Sequence, residues 1–219
     1  MRQIRTATFV SLDGVIQAPG GPDEDPRGGF RFGGWVWPFF DEAAGGLMGR
    51  AMGEDYDLLL GRRTYEIFAA YWPHQEGEIA RTFNAVNKYV AAGSDTPLDW
   101  PHSHRLEGDL AGAVQRLKTS PGRDLLIQGS SEVIHALLAH DLIDQMTLLT
   151  FPIVLGRGRR LFDETSRPRS WTLTGGETSP AGVVVGTYRR GGDVATGRFG
   201  EDDPSPAERA RRERWATGA

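Results

Sequence analysis

The apolar positions of this chain change period along its length, and those changes mark its elements. Short alternating or continuous apolar runs, the signature of strands, fall at residues 4–11, 56–60, 88–92, 125–128, 145–152, 171–174 and 183–189. Between them the spacing lengthens to that of amphipathic helices. Ala44, Leu47, Met48 and Ala51 share one face behind a candidate N-cap, Asp41, and Tyr65, Phe68, Ala69 and Trp72 repeat the pattern. Leu110, Ala113, Val114 and Leu117 follow a capping Asp109, and Val133, Ile134, Leu137 and Leu138 form a fourth stripe. Strands alternating with helices predict a mainly parallel sheet covered on both faces, because each crossover must carry the chain back over the sheet. The last two strand-like runs have no helix between them, and the Gly- and Pro-containing stretch from Thr174 to Gly182 suits a hairpin. The expected fold is an α/β domain with one mixed, mostly parallel sheet ending in an antiparallel C-terminal hairpin.

Two stretches break this pattern. Residues 17–38 are rich in glycine, proline and aromatic residues, and a loop of that length inside a compact domain is usually a functional lid or a mobile segment. From Gly191 the chain turns Gly-, Pro- and charge-rich, so a domain over residues 1–190 and a tail over residues 191–219 are expected. Arg209, Arg211, Arg212 and Arg214 could lie on a short basic helix there, although a solvated tail is the simpler reading.

Composition narrows the function. The 219 residues suit one domain of ordinary size, and a net charge of −4 with 39% hydrophobic residues favours neither nucleic acid nor a membrane surface as partner. The chain has no cysteine, which excludes a disulfide framework, a thiol nucleophile and cysteine-ligated metals. The N-terminus enters a strand pattern without a signal-like apolar stretch, and no run approaches the roughly 20 apolar residues of a membrane span. A cytoplasmic protein is expected.

The candidate chemistry sits where strands run into helices. In Asp57-Leu58-Leu59-Leu60-Gly61-Arg62-Arg63-Thr64 an apolar strand meets a glycine, two arginines and a threonine at the head of a helix. A helix N-terminus presents unpaired N–H donors and about half a positive charge, and arginine adds a fork of donors matched to phosphate oxygens. A second junction, Gln128-Gly129-Ser130-Ser131-Glu132, has the same form, with Ser130 or Ser131 able to cap the helix or donate to phosphate. Two such junctions at one end of a parallel sheet can hold the two phosphates of a dinucleotide. Ser94, after the third strand-like run, can join Arg62 and Arg63 around an extra ribose phosphate, which favours NADP over NAD. Neither Gly-x-Gly-x-x-Gly after the first strand nor a P-loop is present. His102 and His104 stand in a Pro-flanked loop and read as solvent-exposed rather than as metal ligands.

These junctions, with Ser11-Leu12-Asp13-Gly14 after the first strand, resemble the dihydrofolate reductase superfamily. The stretch Leu142-Ile143-Asp144, followed by Pro152-Ile153-Val154-Leu155-Gly156-Arg157-Gly158-Arg159-Arg160-Leu161-Phe162, is similar to the reductase domain of the bifunctional riboflavin-biosynthesis deaminase-reductase and its stand-alone bacterial relatives. The resemblance spans roughly residues 1–190. It implies a three-layer fold with a central mixed sheet of about eight strands, NADPH as hydride donor, and a homodimer. By position it places Gly61, Arg62, Arg63 and Thr64 on the adenosine-side phosphates and Ser94 beside the ribose phosphate. It sets Gln128, Gly129, Ser130, Ser131 and Glu132 along the pyrophosphate and nicotinamide half, with residues 17–38 as the mobile loop over the nicotinamide.

The riboflavin-pathway enzyme reduces the ribose of 5-amino-6-(5-phosphoribosylamino)uracil; dihydrofolate or pterin reduction, and nucleotide binding by a non-catalytic dimer, are the alternatives. The chain departs from the riboflavin enzyme in carrying Val15 where a lysine follows the Ser-x-Asp-Gly motif, and it lacks the deaminase motifs. Hydride transfer also needs a proton, from a positioned acid or from water. Asp13 and Asp41 are the acid candidates, the latter because dihydrofolate reductases carry an acid on the first helix. Each also fits a local role, Asp41 as N-cap and Asp13 in an Asx-turn with Gly14.

Overall fold

One interior strand of the sheet is buried along its whole length. In the computed structural model, which describes residues 1–200 and 203–218, that strand is β2 (Tyr56–Gly61), with every residue buried. Around it lie β1 (Ile4–Ser11), β3 (Lys88–Ala91), β4 (Ser103–Arg105), β5 (Asp124–Ile127), β6 (Gln145–Phe151), β7 (Trp171–Thr178) and β8 (Val184–Arg190). Together they form an 8-stranded sheet in the order β4-β3-β2-β5-β1-β6-β8-β7. Strands β1 to β6 run parallel, in registers such as Ile4 opposite Leu125, Leu60 opposite Val90 and Ser11 opposite Phe151. β8 returns antiparallel to β6, and β7 pairs antiparallel with β8. The carboxyl ends of six strands therefore open on one end of the sheet.

The helices are α1 (Glu42–Met52), α2 (Arg62–Tyr71), α3 (Glu78–Ala85), α4 (Leu110–Thr119), α5 (Ser131–Ala139) and α6 (Pro206–Ala216). Alternation along β2 sorts them between two faces, because successive side chains of a strand point to opposite sides. Leu58 and Leu60 pack with Tyr65 of α2 and Phe83 of α3. Leu59 packs on the other side with Val114 of α4 and Ile134 and Leu137 of α5. A third cluster joins Leu149 and Phe151 of β6 to Leu47 of α1 and to Trp35 and Val36. No helix among the described residues is long and apolar enough to cross a membrane.

The structure differs from the pattern of apolar positions at several elements. β7 continues through Gly175 and Gly176 to Thr178, with a register shift at Leu173/Gly175, so the hairpin turn is confined to residues 179–182. β5 stops at Ile127 and leaves Gln128 in the turn. Two elements were not anticipated: α3, and the edge strand β4, whose three half-exposed or exposed residues carry no apolar period. The tail forms α6, capped by Ser205 and exposed along its length. His104 lies in β4 with its ring 5.5 Å from that of Tyr89. In α5, His135 has its Nε2 2.8 Å from the Leu161 carbonyl oxygen.

A fully buried lysine closes the end of the sheet opposite the strand carboxyl ends. Lys88, the first residue of β3, donates to the carbonyls of Asn84 and Pro101 at 3.1 and 3.0 Å. Its ammonium lies 4.3 Å from the centroid of the Trp100 ring. Burial pulls its pKa down from 10.5 to about 8, with Asp57 opposing in part. From about pH 8 to 10.5 the unfolded chain holds a proton that folded Lys88 has released, so stability rises with pH across that window. Burial pushes Tyr56 the other way, from 10.0 to about 12, so above pH 10 the folded chain retains a proton the unfolded chain has lost and stability falls. Urea unfolding between about pH 8 and pH 10 is expected to show the rise, and Lys88→Met to remove it. A slope unchanged in the variant would contradict the assignment.

Candidate functional site

Two strand-to-helix junctions meet at the carboxyl ends of β2 and β5. Gly61 ends β2 and is the N-cap of α2, with no side chain to satisfy the helix's first N–H groups. A Cβ there would fall 2.4 Å from Ser130 Oγ, 3.1 Å from Ser130 Cβ and 3.2 Å from a Val133 methyl. Across the junction, a Cβ on Gly129 would fall 2.9 Å from Thr64 Oγ1. The two glycines thus let the Ser130 and Val133 side chains pack on Gly61 and the Thr64 side chain on Gly129, which draws two helix N-termini together, and any larger residue at either position would collide with them. Ser130 stands at the N-cap of α5 but makes no capping bond through its side chain. Its hydroxyl lies instead beside Gly61, the Gly129–Ser130 peptide is cis, and Ser131 is buried. Gln128 turns away toward α1, its Nε2 2.8 Å from Met52 Sδ.

Charge is concentrated at the same place. Arg62 pairs with Glu66 one turn along α2 at 2.8 Å, both side chains half-exposed. Arg63 reaches Glu132 in the first turn of α5 at 3.3 Å, and Arg159, from the connection after β6, reaches the same carboxylate oxygen at 3.0 Å. A carboxylate at a helix N-terminus, gripped by arginines from two other segments, occupies the kind of position that a phosphate favours. Two adjacent helix N-termini and three arginines against two glutamates fit a dinucleotide's phosphates.

Ser94 lies in the loop after β3, at the same end of the sheet. Its hydroxyl donates to Asp95 at 2.9 Å, and among the described residues no hydrogen bond joins it to Arg62 or Arg63.

The two acid candidates are engaged as acceptors. Asp13 follows β1 and takes hydrogen bonds from the Ser11 hydroxyl at 2.6 Å and from the N–H groups of Leu155 and Gly156 at 3.1 and 2.8 Å. Burial works to raise its pKa, but these donors outweigh burial and hold the carboxyl below the usual range. It latches the turn after β1 to the connection after β6. Asp41 caps α1, accepting from Ala44 N–H at 2.7 Å and, through its second oxygen, from Ala181 N–H at 3.1 Å in the β7–β8 turn.

Residues 17–38, expected as a mobile loop, are anchored. Trp35 is buried, donates its indole N–H to the Gln17 carbonyl at 2.8 Å and sits edge-on to Phe151 with centroids 5.4 Å apart. Val15 bridges Arg160 in antiparallel fashion, and Ile16 N–H donates to the Arg159 carbonyl at 2.8 Å. Between the start of this segment and the 157–159 turn lies a cleft of about 270 Å³, lined by Gln17, Arg27, Gly28, Phe30, Arg157, Gly158 and Arg159. The cleft is built by contacts between distant segments, and no apolar period marks Arg159 as part of it. The available signal was three arginines in the five-residue run Gly156-Arg157-Gly158-Arg159-Arg160.

Comparison with known proteins fits this architecture. The family model described as RibD C-terminal domain matches residues 2–185. Among curated proteins, the uncharacterized protein YyaP of Bacillus subtilis (strain 168) is 25% identical over 140 residues, covering 62% of this chain and 74% of the relative. YwjB of the same strain, also uncharacterized, is 27% identical over 169 residues, covering 76% and 86%. Three solved structures share the fold. A Shewanella sp. PV-4 protein assigned provisionally to riboflavin biosynthesis superposes with a TM-score of 0.62 at 23% identity, over 87% of this chain and 99% of that one. A pyrimidine reductase-like protein of Corynebacterium diphtheriae does so at 0.60 with 14% identity, over 88% and 93%. Dihydrofolate reductase from Enterococcus faecalis, solved with NADP(H), does so at 0.55 with 13% identity, over 86% and 96%.

Proposed function

The chain belongs to the RibD C-terminal domain family, and on that premise we propose that it is a cytoplasmic, homodimeric, NADPH-dependent reductase of a small heterocyclic or sugar-linked substrate. The observation that carries the reading is the Gly61–Gly129 junction, where two glycines let the Ser130 and Thr64 side chains pack across and bring two helix N-termini together at the carboxyl ends of β2 and β5. Gly61, Arg62, Arg63 and Thr64 hold the adenosine-side phosphates, and Ser94 lies toward the ribose phosphate. Gly129, Ser130, Ser131 and Glu132 follow the diphosphate toward the nicotinamide, and Gln128, whose side chain is held against Met52, contributes the backbone that leads from β5 into them. When bound, NADPH supplies the hydride.

The residues of the chain position and shield. Arg63 and Arg159, paired with Glu132 in the free protein, would supply guanidinium donors to the phosphates. Asp13, held ionised by the Ser11 hydroxyl and two backbone N–H groups, positions the 155–156 turn rather than donating a proton. Asp41 fixes α1 against the β7–β8 turn. The proton that accompanies the hydride is then left to water.

The test follows NADPH oxidation with 5-amino-6-(5-phosphoribosylamino)uracil and, separately, with dihydrofolate. The reading expects turnover of the pyrimidine in preference to dihydrofolate. Oxidation with neither, at substrate concentrations that saturate related reductases, would count against it.

A further inference from the structure

The cleft beside the 157–159 turn has walls built to stay in place. Gln17, 6% exposed, donates its amide to the carbonyls of Asp25 and Arg27, both at 3.0 Å, and accepts from Arg159 N–H at 3.0 Å. One buried glutamine therefore ties the 25–27 turn to the strand-like segment that carries Arg159. Gly158, at φ 128, packs so tightly that a Cβ would lie 2.5 Å from Val15 and 3.0 Å from Phe30. Gly28 on the opposite wall faces open space, which leaves the mouth clear.

The polar groups inside are cationic and not all satisfied. Arg27 pairs with Asp25 through Nε and Nη2, yet its Nη1 is buried with no hydrogen-bond partner. A buried donor left unpaired is costly, and an acceptor in the cleft would relieve that cost. Arg159 is half-satisfied by Glu132, and Arg157 has no ion-pair partner among the described residues. Asp25 and Glu132 face Arg27, Arg157 and Arg159 around a cavity with one aromatic wall, Phe30, while Glu66 acts on Arg27 from farther off and Arg63 shares Glu132. At about 270 Å³ the cleft falls just short of the roughly 300 Å³ at which whole small-molecule pockets begin, so it suits one end of a ligand.

We infer that this cleft is a phosphate-binding subsite formed by Arg27, Arg157 and Arg159. It rests on the reductase reading only for the identity of the molecule that carries the phosphate. Two sources share that chemistry: the cofactor's diphosphate, reached through the Arg63–Glu132–Arg159 chain, and a phosphate on the second substrate.

Calorimetric titration of the full chain with ribose 5-phosphate, with and without saturating NADPH, tests the subsite and separates the sources. Saturable binding is expected, weakened about tenfold or more in Arg157→Ala, the loss of one charge-assisted contact. The Arg157 side chain holds no structural partner, so its thermal unfolding should match the wild type. Arg27→Gln, which keeps hydrogen-bonding capacity but loses charge, should weaken binding similarly. Binding unchanged by NADPH assigns the cleft to a second molecule, and binding abolished by NADPH assigns it to the cofactor's own diphosphate. Absence of saturable binding, or wild-type affinity in both variants, would overturn the inference. Failure of NADPH itself to bind would sink the reductase reading instead, with the subsite still scored by ribose 5-phosphate alone.

Discussion

Asp57→Ala is expected to lower stability by about 3–5 kcal/mol, a large part of the whole for a domain of this size. Asp57 lies in the buried strand β2 and accepts from Arg2 Nη2 at 2.6 Å, with side chains only 2% and 3% exposed. Its other oxygen accepts from the backbone and side-chain nitrogens of Asn87 at 3.2 and 3.1 Å. Removing the carboxylate leaves the Arg2 guanidinium in a dry interior with nothing to replace water, and takes an acceptor from the half-buried Asn87. Arg2 would keep only its bond to the Arg123 carbonyl, its weak contact with the Tyr89 hydroxyl and its position 5.1 Å from the Tyr89 ring. The pair need not be a net gain over apolar packing, so Arg2→Met combined with Asp57→Leu should recover much of the loss. Urea denaturation midpoints read both effects. A single variant within about 1 kcal/mol of wild type would show that the pair is not buried as described.

The second large effect concerns ligand choice. Replacing Arg62 and Arg63 together with alanine is expected to weaken NADPH by about ten- to a hundredfold and NADH by only a few-fold. The argument is one of exposure and competition. Both side chains are about half in water and already paired with carboxylates, Arg62 with Glu66 and Arg63 with Glu132. Each contact is therefore worth less than a buried pair, and a doubly charged phosphate must displace a carboxylate to form it. What distinguishes the cofactors is the extra ribose phosphate, so the loss should fall on NADPH. Equal losses would move these arginines to the diphosphate, which both cofactors share.

The sheet was legible because burial imposes a period. Continuous runs such as Leu58-Leu59-Leu60 and Leu125-Leu126-Ile127 can only be interior strands once helices flank them. The elements that escaped lack that signal. β4 pairs only with β3 at the sheet edge, and β7 is exposed on nearly every residue, so Gly175 and Gly176 read as a turn although the pairing with β8 continues through them.

The site was legible in part for the same reason. Gly61 and Gly129 announced themselves locally, but the contact between them is made by the sheet order, which places β2 beside β5. Long-range partners left no local trace. Nothing in the sequence around Asp13 shows that Leu155 and Gly156 donate to it, or that Arg159 meets Arg63 on Glu132. Residues 17–38 looked loose because glycine and proline dominate the count. The few residues that decide the matter, Trp35 and Gln17 among them, are buried.

The most direct test of the central claim is a titration of the intact protein with NADPH and NADH. Quenching of its six tryptophans provides the signal. If the Gly61 and Gly129 junctions form a dinucleotide cradle with cations for an extra phosphate, NADPH binds saturably and about tenfold or more tighter than NADH. Saturable binding by neither cofactor would contradict the account.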